Sequence, residues 1–247
     1  MRYFLIIALL VFFVPKIQAQ TALEIIQKAE ENFRASDNIA EIKMTLVRPK
    51  WTREMVMKSW NKGEKNALIL VKAPARDKGT TFLKKDNEIW NWLPSVEKVV
   101  KLPPSMMLQS WMGSDFTNDD LVRSSSIIDD YEHELMGQED IDGLNCHKIK
   151  LIPKPDAPVV WGSIITWISV EDLLQLKSEF YDEDGYLINV MEGKDVKEMD
   201  GRLIPAKMIL TPVEEDGQQT IIEYLSIDFD ADIDDGMFST QQMKRIR

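Results

Sequence analysis

The chain has 247 residues, with 30 Lys and Arg against 41 Asp and Glu and a formal net charge of −11. That balance excludes nucleic acid as a partner, because neutralising phosphate needs a basic footprint. Cys146 is the only cysteine, which excludes an intrachain disulfide and leaves the fold to rest on its own core.

Arg2 is followed by an uncharged apolar run over residues 3–14. The run is well short of the roughly 20 residues that a membrane-spanning helix needs. It suits the core of a secretory signal peptide, with Ile17, Gln18 and Ala19 as the cleavage site. The spacing predicts an exported, periplasmic chain that begins at Gln20 and is soluble and unacylated, since no cysteine stands at the cut. Retention as an N-terminal anchor is the alternative, because Pro15 and Lys16 separate the core from the cleavage site. Residues 20–247 fit a single domain.

Residues 21–36 read as a helix. Leu23, Ile26, Ala29 (or Glu30) and Phe33 recur at helical spacing, with Thr21 as N-cap and Glu24 completing a capping box. From Asn38 onward the period is two. Ile42, Met44 and Leu46 alternate with polar residues, and WTREMVMKSW, ALILVKAP, TTFLKK and EIWNWLP follow, each the length of one strand. Beyond residue 130 the same grammar returns, punctuated by Asp142-Gly143, Asp184-Gly185, Asp200-Gly201 and Asp216-Gly217. Asp-Gly between alternating runs is a strong hairpin signal. No strand–helix–strand alternation supports a parallel sheet. The expected fold is mainly β, a long antiparallel meander of about ten or eleven strands with an N-terminal helix and a short Met-rich helical lid.

The lid is residues 102–116, LPPSMMLQSWMGSDF. Pro103 and Pro104 can start a helix but not continue a strand. Met107, Leu108, Trp111 and Met112 would share one side of a three-turn helix, and Gly113 would stop it. A capping box then runs from Thr117 to Asp120. So wide a sheet must curl, split into two sheets or close, and a curled sheet has an apolar hollow to cover. Methionine suits a surface that re-packs around guests, because its thioether chain is unbranched and soft. The expected acyl-chain site is therefore Met44, Leu46, Met55, Met57, Trp90, Trp92, Met107, Leu108, Trp111, Met112 and Trp167. If the segment is a movable flap, Trp111→Asp should weaken acyl-chain uptake and leave thermal stability nearly intact. Asp115 either caps the turn after the flap or latches it by pairing with Lys98 or Arg123.

Charge is uneven along the chain. Residues 43–101 carry 14 Lys and Arg against 6 Asp and Glu, and residues 102–247 carry 12 against 30. Either basic and acidic strands neutralise one another, or a basic rim meets anionic head groups or an acidic partner.

The run NEIWNWLPSVEKVVKLPPSMMLQSWMGSDFTNDDL over residues 87–121 closely resembles the outer-membrane lipoprotein-sorting proteins of the LolA-like superfamily. The shared pattern comprises Trp90, Leu93-Pro94, Lys98 and Lys101, then Ser110-Trp111-Met112-Gly113-Ser114-Asp115-Phe116 and Asp119-Asp120-Leu121. IPAKMIL over residues 204–210 also fits, so the likeness covers nearly all of residues 20–247. The resemblance implies a half-open barrel with helical lids whose cavity holds lipid or lipoprotein acyl chains. It also implies an inner-membrane exporter of RND or ABC type as donor and an outer-membrane acceptor. The long acidic second half departs from the best-studied carriers and leaves the cargo open.

Enzyme chemistry finds little support. Cys146 and His147 are neighbours on a strand and point to opposite faces, so they cannot act as a nucleophile–base pair; a buried thiol beside an exposed histidine is the expectation. His133 is the only other histidine, too few for a His-rich metal site. The aspartates of residues 228–236 look calcium-like, but an EF-hand register starting at Asp230 puts Asp235 where Gly is required and Gln241 where Glu is required. The expectation is a non-enzymatic carrier or chaperone without metal or cofactor. A sensor module of the same fold regulating a membrane partner, an accessory protein of an RND-type lipid exporter and a purely structural envelope protein are the alternatives.

Overall fold

The computed structural model describes residues 20–34, 37–123 and 126–246, so the signal segment lies outside it. Helix α1, Ala22–Arg34, opens with the expected capping box. Thr21 N donates to Glu24 Oε2 at 3.0 Å, and Glu24 N donates to Thr21 Oγ1 at 3.2 Å. Its buried stripe is Ala22, Ile25, Ile26 and Ala29, with Leu23 turned outward. That set has helical one-face spacing, and Leu23 falls off it. The Phe33 side chain lies outside the described ones.

Among the described residues, thirteen strands form one open antiparallel sheet. The first arm runs β1 (Asp37–Arg48), β2 (Trp51–Lys62), β3 (Asn66–Ala73), β4 (Thr81–Lys85), β5 (Glu88–Leu93) and β6 (Lys98–Lys101). The second runs β7 (Tyr131–Ile141), β8 (Leu144–Pro153), β9 (Ser163–Ser169), β10 (Gln175–Tyr181), β11 (Leu187–Met199), β12 (Arg202–Pro212) and β13 (Gln219–Phe229). All four Asp-Gly pairs sit at strand connections of the second arm, and Asp142 and Gly143 (φ 54° and 83°) and Asp200 and Gly201 (φ 49° and 74°) take the left-handed conformation that a tight hairpin turn needs. Two strands carry weak local signals and account for the count above eleven: β6 has four residues, and the alternation of β13 breaks at a bulge opposite Glu41 and Ile42.

Each arm is a meander, and the two join where β1 pairs with β13, Met44 lying opposite Ile222. This leaves β6 and β7 at the two edges although they are consecutive in the chain. The connection over residues 102–130 must therefore cross from one edge to the other. It carries helix α2, Asn118–Arg123, and helix α3, Ser126–Asp129.

The expected lid helix is reduced to one turn of 3-10 helix, Pro104–Met106. After it the chain folds back on itself, with Trp111 N donating to Phe116 O at 2.8 Å and Ser114 N to Trp111 O at 2.9 Å. Met112 (φ 55°) and Gly113 (φ 80°) are both left-handed, which ends any helix before three turns can form. The Thr117 capping box does form: Thr117 N and Oγ1 donate to Asp120 Oδ2 at 2.7 and 2.8 Å, opening α2.

Apolar residues pack on both faces of the sheet. On the inner face of β7–β10, the buried stripe of α1 meets Tyr131, Ile149, Leu151, Ile164 and Ile168. On the outer face of β2–β5, Trp60, Leu68, Leu83 and Trp92 pack against Phe238 and against Met243 of helix α4, Thr240–Arg245.

A covered cavity on the inner face of the sheet

A cavity of about 990 Å³ lies between the sheet and the elements that cross it. Its floor is mixed, with apolar Ala40 and Ile42 from β1, Ile69 from β3, Phe82 from β4, Leu210 from β12 and Ile222 from β13, and polar Asn38, Ser59, Asn61, Thr166, Ser178 and Asn189 beside them. Its roof combines Ile26 and Ala29 of α1, Ile127 and Ile128 of α3, and Trp111, Phe116 and Leu121 of the crossing connection. Ile89 of β5 and Tyr131 of β7 both line it. Eleven strand steps separate those strands, roughly 50 Å in a flat sheet, so the sheet must be strongly curled.

Only Trp111 among the expected acyl-chain residues lines this cavity. It is 2% exposed and meets Phe82 edge-to-face at 5.4 Å. Met44, Leu46, Met55 and Met57 lie on the same sheet face and are completely buried, but Trp111 and Phe82 pack with them and the half-buried Met112 into a solid plug. Met107 packs against Ile89, Leu102 and Leu121, and Leu108 is 63% exposed.

Trp90, Trp92 and Trp167 do not reach the cavity. Ile89 and Ile168 line it, and adjacent strand residues point to opposite faces. Trp92 packs in the α4 cluster, and Trp90 has Lys101 Nζ 5.5 Å from its ring centroid. Trp167 donates from Nε1 to Glu139 Oε2 at 3.1 Å, with Lys148 and Lys177 over its ring at 4.9 and 4.7 Å. Alternation reveals that two faces exist, and it does not say which is inner. Taking Met44 as inner makes Ala40 and Ile42 inner too, a signal available in the sequence. The contributions of β12 and β13 depend on the β1–β13 pairing and had no local signal.

A latch exists, with a different partner from those expected. Arg48, at the end of β1, grips Asp115 through two bonds, Nη1 to Oδ2 at 3.2 Å and Nη2 to Oδ1 at 3.0 Å. Nη2 also donates to Gly113 O at 2.9 Å, and Nη1 to Gln219 O at 3.1 Å. Thr220 Oγ1 donates to Asp115 Oδ2 at 2.6 Å. The side chains of Arg48 and Asp115 are 11% and 9% exposed, so the pair is buried. Lys98 is exposed on edge strand β6, and the Arg123 side chain lies outside the described ones. The planar fork of arginine suits a bidentate carboxylate, but Arg48 is 67 residues from Asp115 and nothing local joins them.

Cys146 is buried on the outer face and burial pushes its thiol up, while its neighbour His147 faces inward and is half-buried rather than exposed. His133 Nε2 lies 2.7 Å from the Ile127 carbonyl oxygen, which can only accept, so Nε2 carries a proton. Burial lowers the pKa of both histidines. Their neutral forms thus favour folding fully above the ordinary value near 6.5, and that contribution is lost as pH falls below it. Urea midpoints should fall between pH 7 and 5.5 by more in the wild type than in a His133→Gln, His147→Gln variant. Parallel profiles would show that the histidines do not contribute.

The aspartates of residues 228–236 are engaged separately. Asp230 pairs with Arg202 at 2.7 Å, Asp235 pairs with Lys62 at 2.8 Å, and Asp234 accepts from Gly236 N at 2.7 Å.

Residues 63–245 match the model of a family described as that of an uncharacterized "-like" protein. The fold is shared with a DUF1329 family protein from Desulfovibrio piger (TM-score 0.82, 22% identity, 90% of this chain and 97% of that one). It is also shared with a LolA-superfamily protein from Nitrosomonas europaea (TM-score 0.76, 22% identity, 91% and 100%). The chain belongs to the family whose model matches residues 63–245. A third structure of the same fold is described as an outer membrane lipoprotein-sorting protein domain, from Vibrio parahaemolyticus (TM-score 0.75, 22% identity, 91% and 98%). No curated protein matches the chain. Among the described residues, no helix is long and apolar enough to cross a membrane.

Proposed function

We propose that this LolA-like protein is a periplasmic, non-enzymatic carrier that holds acyl chains of lipids or lipoproteins in its inner-face cavity and hands them on toward the outer membrane. The observation that carries the reading is the cavity itself. About 990 Å³ remains between the sheet and its roof after the chain's own side chains have packed. That volume is at the upper end of the roughly 300–1,000 Å³ usual for ligand sites. Each methylene buried contributes about 0.8 kcal/mol, so a chain of about 14 to 16 carbons supplies on the order of 10 kcal/mol before ordering costs. The guest would lie along the β1, β3, β12 and β13 floor, with Trp111 closing the plugged end. An inner-membrane exporter as donor and an outer-membrane acceptor complete this reading.

Native mass spectrometry of protein purified without detergent tests it, and bound lipid is the expected result. Ala40 is 2% exposed on the cavity floor. Ala40→Trp should fill that floor and weaken uptake of a fluorescent fatty-acyl probe by at least about tenfold. A wild-type protein that neither carries lipid nor binds the probe would end the proposal.

A further inference from the structure

The polar part of the cavity floor includes one amide whose orientation is fixed. On β10 the register against β9 slips between Gln175 and Lys177, so that Gln175 lies opposite Ile168 and Ser178 lies opposite Thr166. Three apart on a regular strand, Gln175 and Ser178 would face opposite sides of the sheet. The bulge at Leu176 turns both inward, and both line the cavity together with Thr166. Strand β11 passes this bulge at Gly193, where a Cβ would meet Gln175 O at 2.6 Å. The three side chains form a relay. Thr166 Oγ1 donates to Lys177 O at 3.3 Å, Ser178 Oγ donates to Thr166 Oγ1 at 3.0 Å, and Gln175 Nε2 donates to Ser178 Oγ at 2.8 Å. The relay ends on a carbonyl that can only accept, so both hydroxyl protons are committed and Ser178 must receive an N–H from Gln175. The amide is thereby held with Nε2 toward Ser178, and its Oε1 and second N–H have no partner among the described residues. Ser178 is 0% and Thr166 4% exposed, whereas Gln175 is half-buried, so Gln175 is the member of the relay that a guest can reach.

We propose, building on the carrier reading, that Gln175 is a head-group station inside the cavity and selects amphiphiles whose uncharged head bears hydroxyl groups. A hydroxyl accepts from the spare N–H or donates to Oε1, and a diol does both at once. Thr166 and Ser178 are positioning residues that hold the amide in the orientation offering both. The neighbours on this face are Ile168, opposite Gln175, and Phe180, two residues beyond Ser178. An ionised head here would exchange water for apolar side chains, whereas a hydroxyl exchanges it for an amide. A site built to hydrogen-bond a hydroxyl rejects the analogue that lacks it, because the site's own polar groups are then left unpaired.

The test uses two uncharged probes with one tail, monododecanoylglycerol and its di-O-methyl ether, both below micelle formation, so that net charge in the lining attracts neither. The hydroxyl probe should bind the wild type about tenfold more tightly than the ether. Gln175→Met keeps the length of the side chain and removes both polar ends, and it should bring that ratio close to one. Ser178→Ala leaves Gln175 in place but releases its amide, and it should give an intermediate ratio. A merely structural role would weaken both probes, so in each variant affinity for the ether should stay close to that of the wild type. Equal affinity for the two probes in the wild type overturns the proposal. A ratio that survives Gln175→Met also overturns it, since the added methyl groups would then act as a steric obstacle alone. An unchanged ratio in Ser178→Ala overturns the positioning role of the relay, and a matching loss of ether binding in both variants assigns these residues to the fold instead of the head group. If neither probe binds the wild type, the carrier reading itself falls, and that failure is distinct from equal binding of both.

Discussion

Arg48→Ala destabilises the protein by about 3–5 kcal/mol, read as a fall in the urea midpoint. The guanidinium makes two bonds to Asp115 and one each to Gly113 O and Gln219 O. Truncating it strands a carboxylate of 9% side-chain exposure whose remaining side-chain partner is the Thr220 hydroxyl. An uncompensated buried charge costs far more than a lost surface pair, which is worth about 0–1 kcal/mol. Two further variants separate charge from packing. Arg48→Lys keeps the charge and loses the fork, so its loss should be intermediate. Arg48→Met with Asp115→Leu removes both charges and should recover much of the stability, because apolar isosteres often replace buried pairs without penalty. A loss below about 1 kcal/mol for Arg48→Ala would show that the pair behaves as a solvent-exposed one.

Trp111→Ala costs about 3–5 kcal/mol as well, by loss of packing rather than of charge. The indole is 2% exposed and closes the cluster of Met44, Leu46, Met55, Met57, Val71 and Phe82. Read as a flap from the sequence, this residue should be replaceable with little change in stability; its position in the plug reverses that expectation. The segment is part of the core and the roof of the cavity at once. Urea unfolding measures the loss, and a change under about 1 kcal/mol would return Trp111 to the status of a movable cover. Arg48 holds Gly113 and Asp115 in the same turn that positions Trp111, so the two losses should not add. A double variant should be destabilised by less than the sum, because the first truncation already releases the turn.

Local order was legible from residues 20–247 alone. Thr21 and Glu24 announced the start of α1, and four Asp-Gly pairs marked strand connections, because capping and left-handed turns are decided by residues within a few positions of each other. Period-two alternation gave the antiparallel sheet and the parity that makes Ala40, Ile42 and Met44 share a face. It could not say which face is inner, so Trp90, Trp92 and Trp167 were assigned to the cavity when they belong to the outer side. Large aromatics favour burial without regard to side, and this sheet packs residues on both sides.

The residues and the family pattern together carried the half-open barrel with its covering segment, and the sequence by itself determined helix α1, most of the strands and their order, and the need for a cover. The tertiary structure alone decided where the cover crosses, what holds it and where space remains. Pairing β1 with β13 places β6 and β7 at opposite edges, which forces residues 102–130 across the mouth of the curl. The fold also brings together Arg48, Asp115 and Thr220, with 67 positions from Arg48 to Asp115 and 105 from Asp115 to Thr220. Contacts over such separations follow from sheet register and curvature, and neither is written in any local stretch of residues.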